Sequence, residues 1–316
     1  MYCILATCQP FCTQEGPLAP DDQLLQHLLH RRGIQTEVVP WEDQSYNWSR
    51  ADLVLLRSTW NYYLQYPRYV TWLSKVAAGS HLLNPLPVVQ WNTQKRRYLP
   101  DLAVAGIPTI PTSWLAMGTS VQLDRLLSTP RWNSVVLKPS IAANGYGTCV
   151  VERRKRASVV RGQRHLDHFL GQHDMLVQPY LASVESFGEV SHVFINGSWS
   201  HAFARLPFHT RTSEELGAQR PVDEHQVDCP PPEEVALAQR IMRVVEQMLG
   251  CGPLLYGRVD LVRDGGQLYL MELELTEPVL HLEYSGAGER LAEAIVTRSW
   301  SRKEHHPARE RGASRR

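Results

Sequence analysis

The chain has 316 residues, and its 33 basic and 32 acidic residues leave a formal net charge of +1. This length allows two or three subdomains with a sizeable core. The balanced charge argues against a dedicated nucleic-acid binder, and the chain has no run of about 18 apolar residues that would predict a transmembrane helix. The N-terminal segment MYCILATC lacks a basic region and predicts a buried strand, not a signal peptide. We therefore expect a cytoplasmic protein that binds neither nucleic acid nor membranes.

The first third of the chain predicts strands that alternate with helices. An amphipathic helix at 21–32 ends at Gly33, and a second helix covers 69–78. Because such alternation favours a parallel sheet, we expect a parallel α/β layer through about residue 92, followed by a helix to about residue 106. Apolar strands are predicted at 2–7, 36–40 and 53–56.

The remainder predicts strands around two loops. The Gly-rich segment 141–148 lies between two strands, unlike the strand–loop–helix of Rossmann and Walker sites. The segment 207–232 has no periodicity and predicts a long mobile loop, of the kind that often forms a lid. A hairpin is expected around the Asn196-Gly197 turn. Strands are predicted at 135–138, 149–151, 175–181, 189–195 and 198–206, and a helix at 233–249.

Carboxylates alternate with apolar residues along the segment LYLMELELTEP at 268–278. Successive side chains of a strand point to opposite faces. Glu272 and Glu274 are therefore expected to share one face with Leu270, about 6.5–7 Å apart along the strand. Met271 is expected on the other face. Two acids beside apolar neighbours indicate a site and not a solvated surface.

A partner strand at 259–262 brings a third carboxylate to this face. If the loop between the two strands has three residues, 265–267, Asp260 lies directly opposite Glu272. Three converging acids repel one another unless a hard cation holds them. Mg²⁺ takes oxygen ligands and usually bridges to substrate phosphates. Asp260, Glu272 and Glu274 therefore predict a metal–nucleotide site.

Four local motifs follow one another along the chain: LRSTWNY at 56–62, WNTQKR at 91–96, LKP at 137–139 and MELELTEP at 271–278. Together with the order of the elements, they resemble the ATP-grasp carboxylate–amine ligases, the superfamily of glutathione synthetase and D-alanine–D-alanine ligase. The nearer likeness is to the group that contains the O-ureido-D-serine cyclo-ligase of D-cycloserine biosynthesis. The resemblance implies an α/β ATP-grasp fold, in which an N-terminal parallel α/β subdomain precedes two α+β subdomains that sandwich ATP.

The resemblance, which covers residues 1–298, also implies how the chain divides. Residues 1–92 are expected to form the N-terminal pre-ATP-grasp subdomain and 93–180 the central subdomain with the Gly-rich lid. Residues 181–300 are expected to form the C-terminal subdomain with the metal site. The tail 301–316 carries six Lys or Arg against two Glu and is expected to be disordered.

The cofactors implied by the resemblance are ATP and Mg²⁺, with two metal ions and with Mn²⁺ as a substitute. Lysines suit a polyphosphate because each is a compact charge on a flexible stem. Glycines let backbone N–H groups approach an anion without a Cβ in the way. A strand that leads into a hinge offers hydrogen bonds to adenine, and a later acid binds the ribose hydroxyls. The residues implied to bind ATP are Lys95, Lys138, Gly145, Gly147, Gln178, Tyr180, Leu181 and Glu185.

The resemblance further implies residues for catalysis, metal binding and substrate binding. Arg258 matches the arginine that stabilises the tetrahedral intermediate, a contribution of about 2.7–4 kcal/mol for one such donor. Arg205 is expected to contact the γ-phosphate or the substrate carboxylate, and Arg220 in the mobile loop to do the same. The implied catalytic residues are Arg258, Arg205 and Lys138, the implied metal ligands are Asp260, Glu272 and Glu274, and Arg220 is an implied substrate contact. Arg57 and Ser58 follow a strand at the edge where ligands bind in open α/β sheets, so they are expected to bind a substrate carboxylate.

The expected activity is that of an enzyme, an ADP-forming ligase. ATP phosphorylates a substrate carboxylate, and an amine-type nucleophile of a small amino-acid-like molecule attacks the acyl phosphate. The nucleophile belongs either to a second substrate, which gives a linear product, or to the same molecule, which gives a ring. Two alternatives stay open: an ATP-grasp phosphotransferase acting on a hydroxyl, and a non-catalytic ATP-binding regulatory protein. The identity of the substrates and the formation of a homo-oligomer stay open as well.

Overall fold

The computed structural model describes residues 1–9, 18–128, 132–205 and 224–305, with the backbone alone for 299–305. Three sheets, of four, five and four strands, organise these residues. None of the helices within these ranges is long and apolar enough to cross a membrane.

The N-terminal unit is a parallel sheet with helices between its strands, as the alternating sequence pattern predicts. Its strand order is β2-β1-β3-β4, and every neighbouring pair runs parallel. The last helix of the unit was not predicted, because two prolines surround its start. Proline is nevertheless tolerated in the first helical turn, where the backbone N–H has no partner within the helix. The elements are β1 (Tyr2–Thr7), α1 (Pro20–Arg31), β2 (Gln35–Pro40), β3 (Leu53–Leu56), α2 (Tyr66–Gly79), β4 (His81–Leu83) and α3 (Leu86–Asn92).

The central unit is a small antiparallel sheet that carries the Gly-rich loop. Its strand order is β5-β8-β6-β7, and the loop joins the paired strands β6 and β7, so the predicted strand–loop–strand arrangement is confirmed. The helix that covers this sheet, α6, was not predicted. The elements are α4 (Lys95–Val104), β5 (Ser113–Leu115), α5 (Leu123–Leu127), β6 (Ser134–Pro139), β7 (Cys149–Glu152), α6 (Arg156–Leu170) and β8 (Met175–Pro179).

The C-terminal unit is a five-stranded antiparallel sheet of order β11-β10-β9-β12-β13. Strand β11 lies inside the segment predicted as a mobile loop, so that prediction is wrong for 224–227; residues 206–223 lie outside the described residues. The last helix enters the predicted disordered tail as far as residue 305, and 306–316 again lie outside the described part. The elements are α7 (Ser183–Phe187), β9 (Glu189–Ile195), β10 (Ser198–Arg205), β11 (Glu224–Val227), α8 (Pro232–Leu249), β12 (Tyr256–Asp264), β13 (Gln267–Glu274) and α9 (Ala287–His305).

Two apolar clusters join these units. Leu25 and Leu29 of α1 pack with Leu291 and Ile295 of α9, so the end of the chain returns to the N-terminal sheet. Helix α4 contributes Tyr98 and other residues to the core beneath β12, β13 and α8, and not to the core of the central sheet. The central sheet therefore packs on its own cluster, while α4 connects it to the sheet that carries the acids.

The outer edge of β13 is occupied by other parts of the chain. The Asn92 side chain donates from Nδ2 to the Leu273 carbonyl oxygen at 2.8 Å, and its Oδ1 accepts from the Leu275 N–H at 2.7 Å. Further along the strand, the Leu270 N–H donates to the Pro108 carbonyl oxygen at 2.8 Å. These contacts hold the acid-bearing strand against the segments that precede and follow α4.

Candidate active site

Three carboxylates converge on one face of the hairpin formed by β12 and β13. One oxygen each from Asp260, Glu272 and Glu274 lies within 4.8 Å of the others. Asp260 is opposite Glu272 in the register, as predicted. The predicted three-residue loop is wrong, because Asp264 pairs with Gln267 and leaves a two-residue turn.

A β-bulge restores the register that the shorter turn would have shifted. Leu261 pairs with Leu270, whereas its neighbour Asp260 pairs with Glu272, so Met271 is the extra residue. Because of the bulge, Leu270 and Met271 lie on the faces opposite to those predicted. Leu270 is buried in the core beneath the sheet, and Met271 lies on the site face, its Sδ 4.0 Å from the Lys138 ammonium.

Arg258 is the buried centre of this cluster. The side chain is 2% exposed; Nε and Nη2 each donate to a different oxygen of Asp260 at 2.8 Å, and Nη2 also donates to Glu274. Nη1 donates to the Val279 carbonyl oxygen at 3.3 Å. A guanidinium has five N–H groups, so one N–H of Nη1 has no acceptor among the described residues. A fixed cation with one spare donor therefore lies beside the acids.

The three acids differ in their electrostatic surroundings. Burial favours the neutral form of Asp260, but Arg258 outweighs it and holds the pKa below its usual range. Lys95 likewise overcomes burial and lowers the pKa of Glu272. For Glu274, burial and the two neighbouring carboxylates prevail over Arg258 and raise the pKa to about 7. Glu274 is therefore the one acid of the three whose negative charge is not compensated by the neighbouring cations.

Two lysines approach the acids from the N-terminal side and the central sheet. Lys95, at the start of α4, places Nζ 2.8 Å from Glu272 Oε1 and donates to the Ala142 carbonyl oxygen at 3.0 Å. Lys138, at the end of β6, is close enough to Met271 for the contact described above. Burial lowers the pKa of Lys138, and the charge of Glu272 only partly compensates. The structure thus brings both predicted lysines to the acid cluster.

The Gly-rich loop adjoins these lysines. Two of its residues have left-handed backbone conformations that favour glycine. Gly145 and Gly147 have φ of +71° and +65°. A Cβ on Gly147 would lie 2.6 Å from carbon atoms of Phe169 and Pro139. The Gly147 carbonyl oxygen accepts a hydrogen bond from His165 Nε2 at 2.8 Å. The backbone of the loop is therefore seated directly on α6.

The predicted adenine hinge follows β8. Gln178 is buried and donates from Nε2 to Thr112 Oγ1 at 2.9 Å. Tyr180 donates from its hydroxyl to Glu185 at 2.7 Å, and its backbone N–H bonds to the Ser134 carbonyl oxygen. No described residue donates a hydrogen bond to the Gln178 amide oxygen, and its adenine role stays a prediction. Leu181 follows directly and is half-buried.

A second charged network, of which the sequence predicted only Arg205, adjoins the acid cluster. Arg205 lies 3.9 Å from Asp260, and it donates to Glu189 at 3.1 Å and to Glu224 at 2.6 Å. Burial alone would raise the pKa of Glu224, but the bonds from His281 and Arg205 lower it to about 2. Burial opposes the charged form of His281, and hydrogen bonds to Glu224 and Glu283 overcome this and raise its pKa. Arg205 is therefore held by two acids, Glu189 and Glu224, that no motif singled out.

The predicted substrate contacts after β3 are engaged by two aspartates of the N-terminal unit. Arg57 is 2% exposed and pairs with Asp22 at 3.2 Å and Asp21 at 3.4 Å. Ser58 donates to Asp22. The two side chains thus tie β3 to the start of α1, while Arg57 Nη1 has no hydrogen-bond partner among the described residues. Substrate binding by Arg57 and Ser58 stays a prediction. Arg220 lies outside the described residues.

Comparison with known proteins gives consistent matches. The sequence profile of the D-cycloserine synthetase DcsG N-terminal domain matches residues 3–84. The cycloserine biosynthesis protein DcsG of Streptomyces lavendulae is 35% identical over 280 residues, which cover 84% of this chain and 89% of that protein. The crystal structure of D-cycloserine synthetase DcsG superposes with a TM-score of 0.81 at 28% identity, over 95% of this chain and 100% of that one.

A more distant match concerns the fold alone. The ATP complex of D-alanine–D-alanine ligase from Bacillus anthracis superposes with a TM-score of 0.63 at 14% identity, over 97% of this chain and 100% of that one. The predicted α/β ATP-grasp fold is thereby confirmed.

Proposed function

This chain belongs to the DcsG family of ATP-grasp ligases, enzymes that form C–N bonds, and from that premise we propose the reaction it catalyses. The protein activates a carboxylate of a small amino-acid-like substrate as an acyl phosphate at the expense of ATP. An amine-type nitrogen then attacks the acyl carbon, and phosphate leaves. The observation that carries the proposal is the cluster of three acids around a buried arginine, with two lysines beside it.

The acid cluster fits a hard divalent cation. Glu272 and Glu274 are 32% and 27% exposed, and each has one oxygen engaged by a protein cation. Within the described residues, Oε2 of both takes no hydrogen bond, so two carboxylate oxygens are available beside buried Asp260. All three donors are oxygens, which Mg²⁺ requires. When bound, Mg²⁺ would neutralise phosphate charge and orient the transferred group.

The nucleotide is expected to lie between the central and C-terminal sheets. We expect Lys95 and Lys138 to hold phosphate oxygens, because Lys95 pairs with Glu272 and Lys138 contacts Met271 between the acids and the Gly-rich loop. The backbone of Gly145 and Gly147 covers the phosphates. Gln178, whose amide oxygen accepts from no described residue, and the backbone at Tyr180 and Leu181 receive adenine, and Glu185 binds the ribose. Lys138 is half-buried, and the partial loss of its hydration makes an anionic partner favourable there.

Acyl transfer needs positive charge where the tetrahedral oxyanion develops. The spare N–H of Arg258 lies on a guanidinium that Asp260 and Glu274 already hold in position, so no reorganisation is needed during the reaction. Arg205, anchored by Glu189 and Glu224, adds a second fixed cation for the phosphoryl group or the substrate carboxylate. No protein nucleophile takes part in this scheme.

The family favours an amino-acid derivative as substrate. The relatives are named for D-cycloserine synthesis, and a ring closes when the attacking nitrogen belongs to the activated molecule. We propose this intramolecular reaction on an O-ureido-D-serine-like compound. If the reaction requires a second amine substrate, the enzyme catalyses intermolecular ligation instead.

The proposal is tested by ADP release from Mg·ATP across a panel of amino acids, dipeptides, ureidooxy-amino acids and aminooxy-amino acids, with mass spectrometry of the products. We expect one compound to stimulate ADP release and the Glu272→Gln variant to lose the stimulation. Glu293→Gln, at a side chain 70% exposed on α9, is the matched control and should behave like the wild type. A product phosphorylated on a hydroxyl would indicate a phosphotransferase, and binding of ATP without any stimulation would refute the ligase.

A further inference from the structure

Glu277 is a buried carboxyl group that the proposed mechanism does not use. It follows β13, three residues after Glu274, and is 6% exposed. Its Oε2 is enclosed and has no hydrogen-bond partner among the described residues. The Glu277 carbonyl oxygen accepts from Trp60 Nε1 at 3.0 Å, which fixes this part of the chain against the N-terminal unit. A buried acceptor without a donor is uncommon and requires an explanation.

The surroundings of Glu277 place it beside the acid cluster but outside its pairs. Burial and the charge of Glu274 raise the pKa of Glu277 well above its usual range, and Lys95 and Arg258 lower it less. Those two cations are paired with the metal-site acids, and no ion pair reaches Glu277 within the described part of the chain. Glu277 is also absent from the three acids whose oxygens converge. The carboxyl group is therefore short of a cation and is not needed as a metal ligand.

Aromatic side chains of the N-terminal unit lie near Glu277, and one of them, Trp60, donates to its backbone carbonyl oxygen. The charge of Glu277 acts on the hydroxyls of Tyr62 and Tyr69, both of which are buried. The carboxyl group, whose Oε2 is enclosed, thus lies within electrostatic reach of both these tyrosines and the acid cluster. A partner for Oε2 has to be small, has to donate hydrogen bonds and gains most from being positively charged.

We propose that Glu277 binds the amino group of an amino-acid substrate while the carboxylate of that substrate is activated beside the metal-site acids. The inference rests on the proposed ligase function and specifies its substrate class. In an α-amino acid, ammonium and carboxylate share one carbon, so their binding groups must be close neighbours. Glu277 meets this condition, since three residues of extended chain span at most about 11 Å. Ionised Glu277 then receives the cation that the free protein does not supply.

The test compares an amino-acid substrate with the same compound lacking its amino group. The first pair is O-ureido-D-serine and 3-(ureidooxy)propanoate; any other active compound of the panel is paired with its des-amino analogue in the same way. In the wild type we expect kcat/KM to favour the amino compound by about 10–100-fold, the range for a hydrogen bond to a charged group. Glu277→Gln should raise KM for the amino compound, remove most of this preference and leave KM for Mg·ATP unchanged.

Two further variants separate binding from folding. Glu277→Asp retains the charge but shortens the reach, so the preference should be intermediate; Glu293→Gln should keep it fully. A thermal unfolding curve and KM for Mg·ATP report whether each variant is folded. The proposal is overturned if des-amino compounds react as well as their parents, or if Glu277→Gln leaves the preference intact, while ADP release itself continues. Absence of stimulation by every compound overturns the ligase function and the Glu277 subsite together.

Discussion

Gly147 offers the sharpest test of how the Gly-rich loop is seated. Gly147→Ala introduces a Cβ that would lie 2.6 Å from Phe169 and Pro139 carbons, at a residue with φ of +65°. Gly118→Ala is the matched control: φ is +79° there, and nothing lies within 4 Å of the added Cβ. The two variants therefore share the backbone strain and differ in the steric overlap.

The expected magnitudes follow from these distances. A non-glycine residue in the left-handed region costs about 1–2 kcal/mol in both variants. Carbon atoms normally approach to about 3.5–4.0 Å, so Gly147→Ala forces the loop or the Phe169 ring to move by about 1 Å. Overpacking of this kind adds about 1–3 kcal/mol. Gly147→Ala should thus lower the free energy of unfolding by about 2–5 kcal/mol and Gly118→Ala by no more than about 2 kcal/mol.

The loop displacement should also appear in catalysis. A misplacement of about 1 Å can reduce turnover by about 100-fold, so kcat/KM for Mg·ATP should fall by that order in Gly147→Ala and remain near wild type in Gly118→Ala. Urea unfolding measures the first quantity and steady-state ADP release the second. Equal stability and equal kcat/KM in the two variants would refute the seating of the loop on α6.

Three other substitutions test separate parts of the molecule. Arg258→Lys keeps the charge but loses the paired bonds to Asp260, so C–N bond formation should fall by about 100–1,000-fold; product formation at the wild-type rate would contradict this. Asn92→Ala leaves the buried Leu275 N–H unpaired and should cost about 1–3 kcal/mol in urea unfolding. His281→Gln should be most destabilising between pH 4.5 and 6.5. The depressed pKa of Glu224, about 2 against 4.5, stabilises the folded protein fully above pH 4.5, and the raised pKa of His281 stabilises it fully below pH 6.5, so both contributions are present only in this window. Denaturation at a series of pH values measures this difference, and a pH-independent difference would contradict it.

The acid cluster shows how far local pattern predicts a site. The alignment of Asp260 with Glu272 was predicted from a three-residue loop, and the turn is one residue shorter than assumed. The bulge at Met271 compensates, and nothing in the local sequence marks it. The faces of Leu270 and Met271 were therefore wrong, because a bulge interrupts the alternation on which the prediction depends.

Arg57 and β11 show contacts that local pattern cannot reveal. An arginine at a strand end looks the same whether it meets a ligand or an internal acid, and its partners Asp21 and Asp22 lie about 35 residues earlier in the chain. Those aspartates occupy the first turn of α1, where acids are common for helix capping alone. Strand β11 has only four residues and is defined by its pairing with β10. Long-range contacts decide both cases.

The covering of the β13 edge has a consequence for the behaviour of the protein in a crowded solution. An edge strand with free N–H and C=O groups is a template for pairing with another chain. The Asn92 amide takes the positions of a neighbouring strand at Leu273 and Leu275, and the Pro108 carbonyl does so at Leu270. The acids of β13 can therefore remain at the border of the sheet, accessible to small molecules, while the strand is protected from self-association.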